Sequence, residues 1–581
     1  MKMQMRTLIV ILLIAVQSQG SKAQVSQVHS DLIKECEDLI LKRMTSDNIV
    51  GVSAAIIIND SVILKKGFGF ADKDNGIPMT ENTVVNIASA TKTFTALALM
   101  QLQEKGLLDI NKPLKKYLPQ FNPLTRGENL DDLTIRSVIT HSSGLQTDVL
   151  KNTDLGSGKY TDALGFINES YLLYPPGLVE SYSSSGYNIL GHLIKQVSGL
   201  DYPEYIHKNI LMPLGMSNSG FLPDSLKGRT RVYSGGNSMH DYGFSGIASG
   251  GIYTSINDCI KYAKELMHAY NGINSSLIST SAIKEMFTLQ TGNVMIESNK
   301  KGLGWFMFKN DSLFAVTHSG DAITGHADIC LIPEKNSAAI ILINSAEGES
   351  LKRDFSFHFV SKSGLSVPDI IPKQPVIKEV HNEIRFVDLP AGILKKHAGD
   401  YSQGFSYITV TSDYGNLSIE KDGKQYILKP LAENEFVPCE IIGQDSMSVK
   451  EKERYCFMDY DNFHILFHKQ GNNESVMGYK LNTFDTSSMI TKQGLYEHFG
   501  QELLMLDTKF KGAELSLDKD RILMLKLIAY DGEYPFPLNV ISDEFAVTSG
   551  LGTGFGFTVR FTQDNDYDII DFGGITFRKF K

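Results

Sequence analysis

Hydrophobic positions along the chain change period several times. The stretch "SDLIKECEDLILKRM" repeats apolar residues every three to four positions and predicts an amphipathic helix. Two β-rich runs follow, "GVSAAIIIND" and "SVILKKGFGFAD", and Asn59-Asp60 between them reads as a hairpin turn. From Ser89 to about residue 290 the pattern is mainly helical, with loops rich in Gly, Pro and Asn. Strand signals return in "LGWFMFKND", "SLFAVTHSG", "ADICLIPEKN" and "SAAIILINSA", and a helical "ESLKRDFSFHFVSK" closes this part. Hairpins at both ends of a helical insertion imply one mixed sheet that the chain leaves and re-enters, with helices packed on it. The predicted class is α/β (α+β), an antiparallel sheet with a helical insertion. The natural cleft lies between sheet and insertion.

The segment "GLSVPDIIPKQPVIKEV" carries several prolines and reads as a linker. Beyond about residue 390, short strands and turn residues dominate, which predicts all-β, barrel-like modules. A weak internal echo, "LKPLAENEFVP" against "PLNVISDEFAV", divides the tail into two units, with one larger barrel as the alternative. The expected division is an N-terminal segment 1–23, a sheet-and-helix domain 28–368 that holds the cleft, a linker 369–388, a first β module 389–485 and a second 490–581.

At 581 residues the chain is too long for one core. A net charge of -10 and the lack of a basic run argue against nucleic-acid and anionic-membrane partners. The N-terminus has a positive start (Lys2, Arg6), a short apolar run from Thr7 to Val16 and a small-residue exit, Ser21-Lys22-Ala23. That order predicts a secretory signal peptide, hence a secreted or periplasmic protein. The apolar run is about half of the roughly 20 residues that a spanning helix needs, and no later segment is long and apolar enough to span. Five cysteines in no metal-ligand spacing predict buried thiols for the most part, and no metal or cofactor is implied.

Ser89 and Lys92 stand three apart where an apolar helix begins, so hydroxyl and amine share a face. Burial and the positive end of a helix depress a lysine pKa, and a neutral amine can accept a serine proton. The spacing alone decides little, because Ser281/Lys284, Ser298/Lys301, Ser418/Lys421 and Ser516/Lys519 repeat it.

Its company decides more. "LTIRSVITHSSGL", "PPGLVESYSSSGYNILGHLI", "ASGGIYTSINDCI", "GLGWFMF" and "THSGDAITGHADICLIPE" follow in that order. With them, residues 30 to 365 resemble the serine β-lactamase and penicillin-binding-protein superfamily, most closely the class C β-lactamase-related branch. That branch includes D-alanyl-D-alanine carboxypeptidases, D-aminopeptidases and esterases. The resemblance implies a β-lactamase/transpeptidase-like fold. It makes Ser89 the acylated nucleophile, Lys92 its base and Tyr182 a proton shuttle. Ser184 stands where Asn is common. His318-Ser319-Gly320 matches the family's Lys-Thr-Gly strand in its His-x-Gly variant, with Gly320 letting substrate approach. The N–H groups of Ser89 and Asp321 would form the oxyanion hole. His141 would be structural, and His326 structural or peripheral. A carboxylate at Asp321 is expected to repel a substrate carboxylate and so to disfavour carboxypeptidase action.

The absent Lys-Thr-Gly and the serine at 184 imply weak or no β-lactamase activity. The segment "HAGDYSQGFSYITVTSDYGNLSIEKDG" resembles the lipocalin-like modules appended to some D-aminopeptidase and esterase relatives. The expected function is an exported serine hydrolase acting through an acyl-enzyme on small esters or D-amino-acid peptides, with peptidoglycan-derived peptides among the candidates. The alternative is a catalytically silent protein that binds cell-wall peptide or β-lactam on the same fold. A Gly-x-Ser-x-Gly elbow is absent, which counts against an α/β-hydrolase.

Overall fold

The computed structural model describes residues 29–148, 160–221, 227–239, 246–290, 301–309, 314–322, 325–362 and, with short breaks, 385–580. The signal segment and most of the linker lie outside the described residues.

Seven strands form one sheet: β1 (Gly51–Ile58), β2 (Ser61–Asp72), β3 (Ile77–Pro78), β4 (Phe306–Lys309), β5 (Phe314–Ala322), β6 (Gly325–Ile332) and β7 (Ser337–Ile343). Their order is β3-β2-β1-β7-β6-β5-β4, with every neighbouring pair antiparallel. The β1–β2 turn is Asn59-Asp60, both at positive φ (48° and 67°). Asn and Asp tolerate that left-handed backbone, which matches the right-handed twist of the strands it joins.

Strand alternation splits the side chains between two cores. Val52, Ala54 and Ile56 face a cluster with Leu32, Cys36 and Ile40 of α1 (29–46) and with Leu351, Phe355 and Phe359 of a later helix, Glu349–Lys362. Ala55 and Ile57 face the helical insertion. Within that insertion α2 (Thr91–Glu104) is buried on all sides from Thr91 to Leu102, as an apolar helix at the centre of a core must be. It packs beside α3 (Ser184–Ser198), and α4 (Ile256–Tyr270) covers the same sheet face. The helix Glu349–Lys362 is called α5 below.

The tail forms two separate all-β units. In the first, nine strands from Gly399 to Lys480 form a sheet that closes on itself where Lys424–Ala432 pairs with Glu435–Ile441. The second is a closed eight-stranded barrel from Gly494–His498 to Ile575–Phe580. One larger barrel is thereby excluded. Both units dock on the insertion. Leu173, Tyr174, Leu178 and Val179 share an apolar cluster with Phe463, Ile465, Phe467, Tyr479 and Val547. The five cysteines are free thiols, four of them buried.

Candidate active site

Ser89 sits in a tight 3-10 turn, Ala88–Ala90, that feeds straight into α2. The turn is strained: Ala88 has φ 42°, a left-handed conformation that a residue with a Cβ adopts at a cost. Its N–H donates to Asn86 Oδ1 at 3.0 Å, and Asn86 Nδ2 donates to the carbonyls of Gly250 and Ile252. This local bracing exposes the Ser89 side chain partly to the cleft while both neighbours stay buried.

One turn of helix later, Lys92 is fully buried. Its ammonium donates to Ser89 Oγ at 3.1 Å, to Ser184 Oγ at 3.4 Å and to the Ser249 carbonyl at 2.8 Å. All three acceptors are neutral. Burial therefore dominates and pulls the Lys92 pKa down to about 7, opposed by the charge of Asp148. At neutral pH a large share of this lysine is a free amine in contact with a serine hydroxyl.

Tyr182 completes the cluster. Its side chain hydrogen-bonds Ser89, and Lys92 Nζ lies 4.8 Å from its ring centre. Burial pushes the phenol well above its ordinary pKa, with the Ser89 bond pulling the other way, so the group is a neutral hydroxyl. His141 stacks on it, ring centres 4.2 Å apart, and accepts the Ser183 N–H at Nδ1. Burial holds His141 neutral. Its ring thus packs on Tyr182 while its Nδ1 anchors the Ser183 backbone.

The strand β5 supplies the opposite wall. Val316 faces the insertion core and Ala315 the α5 core, so alternation sends His318 and Gly320 to the cleft side and Ser319 and Asp321 to the α5 side. Pairing of β4 with β5 ends at Phe306–Thr317. Beyond it, the outer edge of β5 has no strand partner among the described residues. The His318 ring sits 5.3 Å from that of Phe306, and its Nδ1–H donates to the Ser319 carbonyl at 2.8 Å. Burial first, then the charge of Lys92, pull its pKa down to about 3, so His318 is a neutral imidazole and no substitute for a strand lysine's charge.

One expectation gains a second physical reason, and one needs correction. Gly320 also lies against the Ser89 turn: a Cβ there would stand 2.0 Å from the Ile87 carbonyl oxygen. Asp321 does not project a bare carboxylate at substrate. Its oxygens take a hydrogen bond from His326 Nδ1 at 2.7 Å and an ion pair from Lys352 of α5. Burial alone would raise its pKa; His326 and Lys352 outweigh that and lower it. The charge-repulsion argument against carboxypeptidase action therefore loses its ground.

Sequence reasoning missed the Ser249 carbonyl, although "ASGG" had drawn attention, and it missed Asp148, whose charge reaches both Lys92 and Tyr182. The other Ser-x-x-Lys pair on a helix, Ser281/Lys284, is exposed on both residues. Burial of the lysine separates the Ser89/Lys92 pair from that repetition. The second barrel reaches the site's edge: the Thr147 N–H donates to the Gly556 carbonyl at 3.1 Å, and the Thr147 carbonyl accepts the Ser184 N–H at 2.8 Å. Among the described residues no group of three His, Cys, Asp or Glu side chains gathers with metal-binding geometry.

The family model described as Beta-lactamase matches residues 36–359, more than half of the chain, and the protein belongs to that family. Among curated proteins it is similar to Protein flp of Staphylococcus aureus (strain NCTC 8325 / PS 47), 27% identical over 328 residues, or 54% of this chain and 64% of that one. It is also similar to Beta-lactamase-like protein 2 of Dictyostelium discoideum, 30% identical over 203 residues, 33% of this chain and 37% of that one. The chain thus spans less than two thirds of these relatives' own lengths. Among solved structures, SurE matches with a TM-score of 0.55 at 21% identity, covering 78% of this chain and 99% of that one. An octameric penicillin-binding protein homologue from Pyrococcus abyssi matches with a TM-score of 0.50 at 24% identity, covering 76% and 99%. These likenesses show the fold.

Proposed function

We propose that the protein is an exported serine hydrolase that cleaves small esters or D-amino-acid-containing amides through an acyl-enzyme on Ser89. The observation that carries this reading is a buried lysine amine that donates to neutral acceptors and lies 3.1 Å from the Ser89 hydroxyl. Neutral Lys92 takes the Ser89 proton as Oγ bonds to the substrate carbonyl carbon. The N–H groups of Ser89 and Asp321 hold the developing oxyanion; losing one such donor typically costs about 10²–10³ in rate. Tyr182, a neutral phenol touching Ser89, passes a proton to the departing alcohol or amine, and Lys92 restores it. Water then attacks the acyl-enzyme with the same groups running in reverse.

The open edge of β5 beside His318, Ser319 and Gly320 suits an extended substrate backbone, which favours peptides over bulky esters. Neutral His318 supports the expectation of weak β-lactam turnover, since it offers no cation to a substrate carboxylate. Export rests on the N-terminal sequence. A panel of p-nitrophenyl acyl esters and D- and L-aminoacyl p-nitroanilides, with wild type beside Ser89→Ala, tests the reading. Ser89-dependent release on at least one class supports it, and equal release by both proteins refutes it.

A further inference from the structure

Glu180 and Lys301 form an ion pair buried within the catalytic domain, with side chains only 6% and 7% exposed. The two residues are 121 apart in sequence. Glu180 precedes Tyr182 by two residues. Lys301 opens the Gly-Leu-Gly-Trp turn, which leaves no room for side chains at its glycines. A Cβ on Gly302 would meet the Met286 carbonyl oxygen at 2.1 Å, and one on Gly304 would meet the Ala96 Cβ at 2.5 Å and the Lys92 carbonyl oxygen at 3.3 Å. The turn is thereby pressed on α2 at Lys92. It sets the Lys301 ammonium 5.9 Å from the Tyr182 ring centre and 5.1 Å from that of Phe306. Its charge is felt at His141 and His318 as well.

Burying a lysine is costly, and an apolar pair of the same volume would stabilise a core at least as well. The cost points to a use. Tyr182 is surrounded by groups that cannot favour loss of its proton through a full cycle. His318 and His141 are neutral, the carboxylates of Asp321 and Asp148 oppose it, and Lys92 changes charge as it works. Lys301 is a further basic group at this ring; burial lowers its pKa, and the direct contact with Glu180 opposes that loss of charge.

We propose that Lys301, held by Glu180, is a positioning residue of the reaction at Ser89: its ammonium beside the Tyr182 ring makes that phenol a stronger proton donor to the leaving group. The proposal rests on the serine-hydrolase reading above and assigns this pair a part in it. A stronger acid matters most where the leaving group is a poor one and needs a full proton, and little where it departs unaided. Removing the charge therefore changes the ranking of substrates, which loss of packing would not.

The test measures kcat/KM of the full chain on acetate esters whose alcohols range from p-nitrophenol through phenol to ethanol. The variants are Lys301→Met, Lys301→Arg and the neutral double change Glu180→Gln with Lys301→Met, which leaves no unpaired buried charge. Lys301→Met and the double variant should lose roughly tenfold on the ethyl ester and under about threefold on the p-nitrophenyl ester, with Lys301→Arg recovering most of the difference. An equal loss on every ester, or none, overturns the proposal while leaving Ser89 as nucleophile. Wild type inert to all the esters and to a fluorophosphonate overturns the serine-hydrolase reading and this one with it.

Discussion

The two faces of the seven-stranded sheet treat a buried lysine in opposite ways. On the insertion face Lys92 contacts two hydroxyls and a carbonyl, and burial draws its pKa to about 7. On the α5 face Lys352 is as deeply buried, but it pairs with Asp321, which His326 also engages. Beside it Asp328 takes hydrogen bonds from Thr317 and Ser356. The charged groups of the α5 face are thus paired with one another or hydrogen-bonded. On the insertion face the desolvated lysine has hydroxyl and carbonyl acceptors instead, the setting in which a lysine's titration is perturbed. The same strand, β5, serves both faces through alternate residues.

Matched substitutions should break that symmetry. Lys92→Met removes the base and should lower kcat/KM by about 10²–10⁴, with stability kept or raised because a buried charge is gone. In the wild type the sign with pH follows: as pH rises through about 7 the amine loses its proton, so kcat/KM should climb across that point and lose the climb in the variant. A rate profile from pH 5 to 9 checks it.

Gly320→Ala forces the strand off the nucleophile turn and should cost about 1–3 kcal/mol of stability together with most activity, read by urea unfolding and ester turnover. Lys352→Met should do the reverse of Lys92→Met. It leaves kcat/KM on neutral esters within about twofold and lowers stability by about 1 kcal/mol, a small figure because Asp321 is half exposed. Asp321→Asn should have the least effect, with no gain in preference for substrates bearing a free carboxylate.

The legible part of this molecule was the part written in local spacing. Ser89 and Lys92 share a helix face, and Tyr182 and Ser184 sit at one helix start. The strand sequences alternate cleanly between two cores, and the Asn59-Asp60 turn is local chemistry. Applying the same alternation to β5 would have placed Asp321 with Ala315 on the α5 side, so that misreading came from treating a motif as a contiguous patch. The Glu180–Lys301 pair and the Thr147–Gly556 contact join residues 121 and 409 positions apart, and no local period reports them. Neutral acceptors around Lys92 likewise emerge only when α2, α3 and the Ser249 turn meet.

The most direct test is intact mass during incubation with a fluorophosphonate, for wild type, Ser89→Ala and Lys92→Met, at pH 6 and pH 8. The account predicts one adduct on wild type, formed faster at pH 8, none on Ser89→Ala, and slow formation without that pH dependence on Lys92→Met. An adduct on Ser89→Ala at the wild-type rate, or none on wild type at either pH, would contradict it.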